Sequence, residues 1–318
     1  MSTIFRGIVH LRSHLYEKGY LEPKTLNHPV ISVGNLTVGG TGKTPLVIAL
    51  AGGFRKLGYR PVILSRGYRR KSRGIVVVSR GRGPEVDWPT AGDEPFLMAE
   101  RLRGVSVVVG RDRFEAGRRA EADNLGDLFI LDDGFQHRQL SRTFDIVAID
   151  PDDWAGPERL LPRGRWREPR SALDRGDAVC IRKSLNAQAP TLPLPTFEFT
   201  MEVDGIRRGE ALVAPESLGD EPVVAFAGIA RPERFFDTLR SLGLNIVATR
   251  SFPDHHAFTP QELAELPNGL KITTEKDAVR LGPGDFPTLR VSANILNYES
   301  LRDLMLDRIG PRVIPLGS

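Results

Sequence analysis

Gly34-Asn35-Leu36-Thr37-Val38-Gly39-Gly40-Thr41-Gly42-Lys43-Thr44 stands between a short β-rich run, 29–33, and a segment, 45–57, in which Leu46, Ala49, Leu50 and Phe54 share one helical face before Gly58 ends it. A strand, a glycine-rich loop, Gly-Lys-Thr and a helix are the setting of a nucleotide phosphate loop. The glycines let backbone N–H groups close around phosphate oxygens, and the N-terminus of the following helix adds partial positive charge. Thr37, Val38, Gly39, Gly40, Thr41, Gly42, Lys43 and Thr44 are therefore expected to hold ATP. In that reading Lys43 reaches the β- and γ-phosphates and the Thr44 hydroxyl ligates Mg²⁺. The strict pattern wants a glycine where this chain has Thr37.

Such a site also needs an acidic group at the end of a neighbouring strand. The apolar run 128–131 leads into Asp132-Asp133-Gly134-Phe135-Gln136-His137. Adjacent carboxylates at a strand end point to opposite sides, so one of Asp132 and Asp133 is expected to face the metal. A second apolar run, 144–149, ends at Asp150, which is either a further acidic group of the site or structural.

From 29 to 183 apolar runs (61–65, 75–79, 105–109, 128–131, 145–149, 178–181) alternate with helical segments such as 94–102 and 113–123. That rhythm predicts an α/β, P-loop NTPase-like fold: a mostly parallel sheet covered by helices, with ligands at the carboxyl ends of the strands. The proline-rich stretch 190–195 breaks it, and 197–203, an Asp204-Gly205 turn and 206–213 read as a β-hairpin. Runs at 223–226, 245–248 and 270–273, with a helix over 232–242, then read as a smaller α/β unit. The expected organisation is an N-terminal amphipathic helix in 1–28, a phosphate-loop core over 29–195, a β-hairpin linker at 196–213 and a smaller C-terminal α/β domain over 214–318. The last residues carry no pattern of their own.

With 318 residues, 40% hydrophobic and 26% charged, the chain can bury a sizeable core, which excludes disorder, collagen-like repeats and coiled coil. Its single cysteine, Cys180, lies in an apolar run, so no internal disulfide framework or cysteine-cluster metal site is available, and a reducing compartment suits it. No apolar stretch approaches the roughly 18 residues needed to cross a bilayer. The formal net charge of +4 is too small to argue for nucleic acid, and it is compatible with an anionic substrate or membrane surface. Near the N-terminus Ile4, Ile8, Leu11 and Leu15 form an apolar stripe beside Phe5, Val9 and Tyr16, with Arg6, His10, Arg12, His14, Glu17 and Lys18 on the other faces. Charges interrupt it too often for a secretory signal peptide. It reads as a helix packed on the domain or as one lying in a membrane interface.

Beyond the loop and its following Pro45, the chain carries Ser65-Arg66-Gly67-Tyr68, Gly92-Asp93-Glu94-Pro95, Asp132 to His137, Leu161-Pro162 through Arg167-Glu168-Pro169, and Phe252-Pro253-Asp254-His255. In this order the set resembles the motifs of tetraacyldisaccharide 4'-kinase, the lipid A 4'-kinase of Gram-negative bacteria, over residues 5 to 280. In that family a threonine is usual at the position of Thr37. The resemblance implies transfer of the γ-phosphate of ATP to the 4'-hydroxyl of a tetraacylated glucosamine disaccharide 1-phosphate, giving lipid IVA. It implies a peripheral protein on the cytoplasmic face of the bacterial inner membrane, held at the anionic surface by its N-terminal helix, with no nucleic acid and no obligate protein partner. It places proton acceptance on Asp93, with His255 as partner from the second domain. Metal ligation falls to Thr44 and one of Asp132 or Asp133, with Glu168 as a further candidate.

Read without the family, Asp93 is a helix N-cap before Glu94-Pro95 and His255 an ordinary surface or core histidine. His256 competes with it, and His255 is preferred because it directly follows Asp254. Gln136 and His137 either order their loop or contact substrate. Arg66, Arg69, Arg70, Lys71 and Arg73 meet the sugar phosphate, lipid head groups or only solvent, and Arg111 and Arg113 are further phosphate candidates. The alternative from another class is a membrane-recruited P-loop ATPase switch of the partition or division-site type. Such loops begin with a signature lysine that reaches across a dimer; here that position is Val38, and that class lacks the Asp93 and His255 motifs. A kinase for a soluble metabolite is a third option.

Overall fold

The structure, a computed structural model, describes residues 7, 11, 14–16, 18–184, 187–282 and 286–310. Most of the N-terminal stripe (Ile4, Phe5, Ile8 and Val9) lies outside them; Leu11 is helical and exposed.

The phosphate-loop half is built from β1 (Val30–Gly34), α1 (Lys43–Lys56), β2 (Pro61–Ser65), β3 (Val76–Arg80), α2 (Trp88–Ala91), α3 (Asp93–Arg101), β4 (Ser106–Val109), α4 (Arg113–Ala122), β5 (Leu128–Asp132), β6 (Phe144–Ile149), α5 (Pro151–Ala155) and β7 (Ala178–Arg182). Strands β7, β6, β1, β5, β2 and β4 lie side by side in that order, all parallel, and β3 closes the edge antiparallel. Every residue of β1, β2, β5 and β6 is buried, as expected of continuous Val/Ile/Leu runs covered on both faces by helices. Because β1 and β5 are neighbours in register, Val33 against Asp132, the phosphate loop and the Asp132-Asp133 pair emerge side by side at the carboxyl edge.

The second half contains β8 (Thr196–Arg208), β9 (Ala211–Val213), β10 (Val223–Ala227), α6 (Pro232–Ser241), β11 (Ile246–Ser251), α7 (Pro260–Ala264), β12 (Leu270–Thr274), α8 (Glu275–Leu281), β13 (Thr288–Ile295) and α9 (Tyr298–Ile309). Its strands continue the same sheet in the order β11-β10-β12-β13-β8-β7. An apolar cluster that includes Val223, Ala225, Phe235, Phe236 and Leu239 forms its own core.

Two expectations are corrected. Asp204-Gly205 is not a hairpin turn: β8 runs through it as one 13-residue strand, paired to β7 on one edge and β13 on the other. Gly205 faces Arg290 and Val203 faces Val291, so Asp204 is the extra residue of a bulge; the reverse turn comes later, before β9. Asp204 earns its place by accepting from Arg101 Nη2 at 3.2 Å and Ser292 Oγ at 2.5 Å. Nor do residues 214–318 remain one separate unit. Ala293 and Ile295 of β13 and Leu301 and Met305 of α9 join the core of the phosphate-loop half with Leu46, Val47 and Leu50 of α1.

Candidate active site

The phosphate loop turns into α1 through Gly42, whose φ of 85° is the left-handed conformation a side chain resists. Inside the loop the Asn35 amide donates to Thr37 O at 2.7 Å and to Thr41 Oγ1 at 3.2 Å, and Gln136 Nε2 donates to Asn35 O at 2.9 Å. Gln136 therefore orders the loop from the β5 side. Segment 165–167 straps the other limb: Val38 N–H donates to Arg165 O and Arg167 N–H to Leu36 O, both at 2.7 Å. The Thr37 hydroxyl donates to Asp153 Oδ2 at 3.1 Å. Thr37 and Val38, expected to touch the nucleotide, thus spend these groups on tethering the loop.

Lys43 Nζ lies 3.4 Å from Asp133 Oδ1, and Arg167 Nη1 donates to both Asp133 oxygens at 2.8 and 2.7 Å. Burial pushes the Asp133 carboxyl up, but Lys43 and Arg167 outweigh it and hold it well below the usual range. Asp132, the last residue of β5, takes a different partner and accepts from Ser65 Oγ at 2.8 Å, while Asp133 follows it outside the strand with a left-handed backbone. Burial, then the charges of Glu94 and Asp133, raise its pKa to about 7. Glu168 is held by Arg175, whose guanidinium lies 4.5 Å from the centre of the Phe135 ring. Its carboxylate, a metal candidate from the sequence, thus takes part in an internal ion pair. Asp150 proves structural: Arg231 Nη1 and Arg234 donate to its fully buried carboxylate, and it caps α5.

Asp93 and His255, 162 residues apart, meet with Nδ1 to Oδ2 at 2.7 Å. Asp93 is not the N-cap that its local sequence suggests: Gly92 holds that place, and Asp93 is the first residue of α3, its Oδ1 accepting from Glu94 N–H at 2.9 Å. Arg280 Nη1 donates to Asp93 Oδ2 at 2.6 Å, and Lys276 Nζ sits 3.3 Å from His255 Nε2 and 3.0 Å from Glu94 Oε1. An ionised carboxylate only accepts, so Nδ1 carries the proton given to Asp93. Burial favours the neutral acid, but the His255 hydrogen bond and the charges of Lys276, His255 and Arg280 win, lowering the Asp93 pKa from 3.8 to about 2. The Tyr68 ring packs 5.2 Å from His255, and Arg69 Nη1 donates to Asp254 O at 3.1 Å, so segment 65–69 locks the histidine loop from the first half. His256 turns to Glu262, 3.0 Å away, so of the two histidines it is His255 that meets Asp93. His255 and Asp133 adopt φ of 60° and 54°, a strain on the order of 1–2 kcal/mol each, held at the site by these partners.

Sequence reasoning missed Lys276 and Arg280. They sit four apart on α8, directly after the end of β12, where an α/β sheet places ligand-facing groups. Because Glu94 helps raise Asp132, the acid–histidine cluster and the phosphate-loop carboxylates lie within electrostatic reach of each other. Folding keeps Asp93 ionised, so its contribution is present above its unfolded pKa of 3.8 and is lost as pH falls through about 2. Between about pH 5 and pH 2, the stability advantage of the wild type over Asp93→Asn is expected to shrink by about 2 kcal/mol in urea unfolding.

The family model for tetraacyldisaccharide-1-P 4'-kinase matches residues 1–310. Curated relatives named tetraacyldisaccharide 4'-kinase include one from Anaeromyxobacter dehalogenans (strain 2CP-1), 39% identical across 95% of this chain and 87% of its own length. Another, from Aquifex aeolicus, is 39% identical across 96% of both. The crystal structure of "apo" form LpxK from Aquifex aeolicus in complex with ATP superimposes with a TM-score of 0.85 at 37% identity, covering 97% of both chains.

Proposed function

Because the chain belongs to the tetraacyldisaccharide-1-P 4'-kinase family, we propose that it transfers the γ-phosphate of ATP to the 4'-hydroxyl of a tetraacylated glucosamine disaccharide 1-phosphate, a phosphotransfer of lipid A biosynthesis that gives lipid IVA. The observation that carries this reading is the 2.7 Å pairing of Asp93 with His255 from opposite halves of the chain. ATP as donor is supported by the phosphate loop and by the ATP-bound relative of the same fold.

Phosphoryl transfer asks the protein for position and charge more than for covalent chemistry. A sugar hydroxyl has a very high pKa, so a base acts chiefly by taking its proton as the transition state forms. Asp93, kept ionised, accepts that proton, while His255 fixes its orientation and shares the charge change. Lys43, now beside Asp133, meets the phosphates. A hydroxyl and carboxylates beside phosphate groups suit Mg²⁺, which keeps several waters and takes few protein ligands. Thr44 and Asp132 or Asp133 would hold it, and when bound it neutralises charge on the β- and γ-phosphates.

Asp93 comes from the 29–195 core and His255, Lys276 and Arg280 from beyond residue 214, so closure of the two parts completes the site and excludes water. Among the described residues no helix is long and apolar enough to cross a membrane. A tetraacylated acceptor keeps its chains in the bilayer, so the enzyme works at the surface, on the cytoplasmic face of the inner membrane, with the helix in 1–28 as its interfacial contact. The test uses γ-radiolabelled ATP, magnesium and the disaccharide 1-phosphate lipid in detergent micelles. Wild type is expected to label the lipid and Lys43→Ala to leave it unlabelled. Labelling of soluble sugars alone, or nucleotide-driven dimerisation without transfer, would overturn the reading.

A further inference from the structure

A guanidinium lies on the rim of the phosphate loop. Arg165 Nη2 donates to Val38 O at 2.7 Å, and a Cβ added to Gly39 would collide with that same nitrogen. Gly39 is therefore what lets the side chain come down on the loop, and the Val38 N–H to Arg165 O bond fixes the backbone of the two segments together. Arg165 Nε lies 3.1 Å from Asp153 Oδ1. A guanidinium has five N–H donors in a rigid fork. Here Nε faces Asp153 and Nη2 the Val38 carbonyl, while Nη1 has no partner among the described residues, and the side chain is 46% exposed. Asp153 also accepts from the Thr37 hydroxyl and pairs with Arg231 of the second half, so it serves two guanidinium groups and does not cancel the charge of Arg165.

The location matters chemically. Gly42 to Thr44 form the helix N-terminus expected to cradle phosphate, and Val38 and Gly39 form the opposite limb of the same loop. Partition-type loops carry, at the position of Val38, a lysine that reaches across a dimer. This chain has Val38 at that position, and a cation from elsewhere in its own sequence sits on the loop rim.

We propose that Arg165 is a nucleotide ligand of this kinase, supplying in cis a cation to the terminal phosphate of ATP, with Asp153 as its positioning residue. An arginine so placed offsets charge developing on the equatorial oxygens and the bridging oxygen as transfer proceeds. Asp153 aims the fork, and through Arg231 that aim depends on the second half being in place.

The assignment rests on ATP as the phosphoryl donor and is read first without the lipid acceptor, so failure of the glycolipid assay leaves it measurable. Fluorescent ATP and ADP analogues are titrated, with magnesium, into the full chain carrying Arg165, Arg165→Lys or Arg165→Ala. Arg165→Ala is expected to weaken ATP about 10-fold, to leave ADP within about 2-fold and to leave the melting temperature unchanged, because the side chain is half exposed. Arg165→Lys recovers part of the loss. In the lipid assay Arg165→Ala lowers kcat by about 10²-fold. Unchanged affinity for both nucleotides, or equal losses of ATP and ADP, overturns the proposal.

Discussion

Asp93→Asn is expected to lower kcat by about 10²–10⁴-fold while leaving nucleotide affinity near that of the wild type. The asparagine is nearly isosteric and still accepts from Glu94 N–H, so the start of α3 survives. It cannot take the proton of a sugar hydroxyl, and it removes the charge that holds the His255 Nδ1–H and Arg280. Steady-state kinetics with the lipid acceptor, paired with a nucleotide titration, reads the two effects apart. A kcat within about 3-fold of wild type would take Asp93 out of the reaction altogether. His255→Ala is expected to move in the same direction, since it frees Asp93 from its orienting partner without touching the phosphate loop.

Arg280→Met should be the most destabilising single change at the site. Arg280 is 2% exposed, and it bridges Asp93, Asp277 and the Gly228 carbonyl, the last at 2.9 Å. Methionine fills the space of the stem but leaves two buried carboxylates without their shared cation, a loss of about 3–5 kcal/mol. Denaturant unfolding at neutral pH measures it. Adding Asp277→Asn removes one of the stranded charges and should return part of the stability; a double variant no better than the single one would deny that stranded charge is the cause. Kinetic loss should accompany the change in both variants, because Asp93 loses one of the groups that keep it ionised.

The phosphate loop, α1 and the acidic end of β5 were legible because each is a local matter. Glycine tolerance at Gly42, the apolar face of Leu46, Leu50 and Phe54, and a strand running into Asp132 follow from neighbours in sequence. Asp93 is different. Its own surroundings specify a helix start, which it is, and only a family resemblance raised it to a base. Leu289, Val291, Ala293 and Ile295 alternate as a strand should, but that alternation names no partner, and β13 proved to lie between β12 and β8. Asp204-Gly205 carries a turn signal that a bulge satisfies equally well, and the long pairing of β8 with β13 chose the bulge.

From the order of residues alone came most of the elements before α8, the parallel core and the phosphate-loop motif, since backbone conformation and apolar periodicity act over a few residues, whereas α8, β13 and α9 were not read. Which charges meet is another matter. The joining of Asp93 to His255 and Arg280, of Lys43 to Asp133, and of Arg165 to the loop rim depends on which surfaces the folded sheet brings together. Coulomb energy at such places is set by distance and desolvation, and neither exists until the chain has folded.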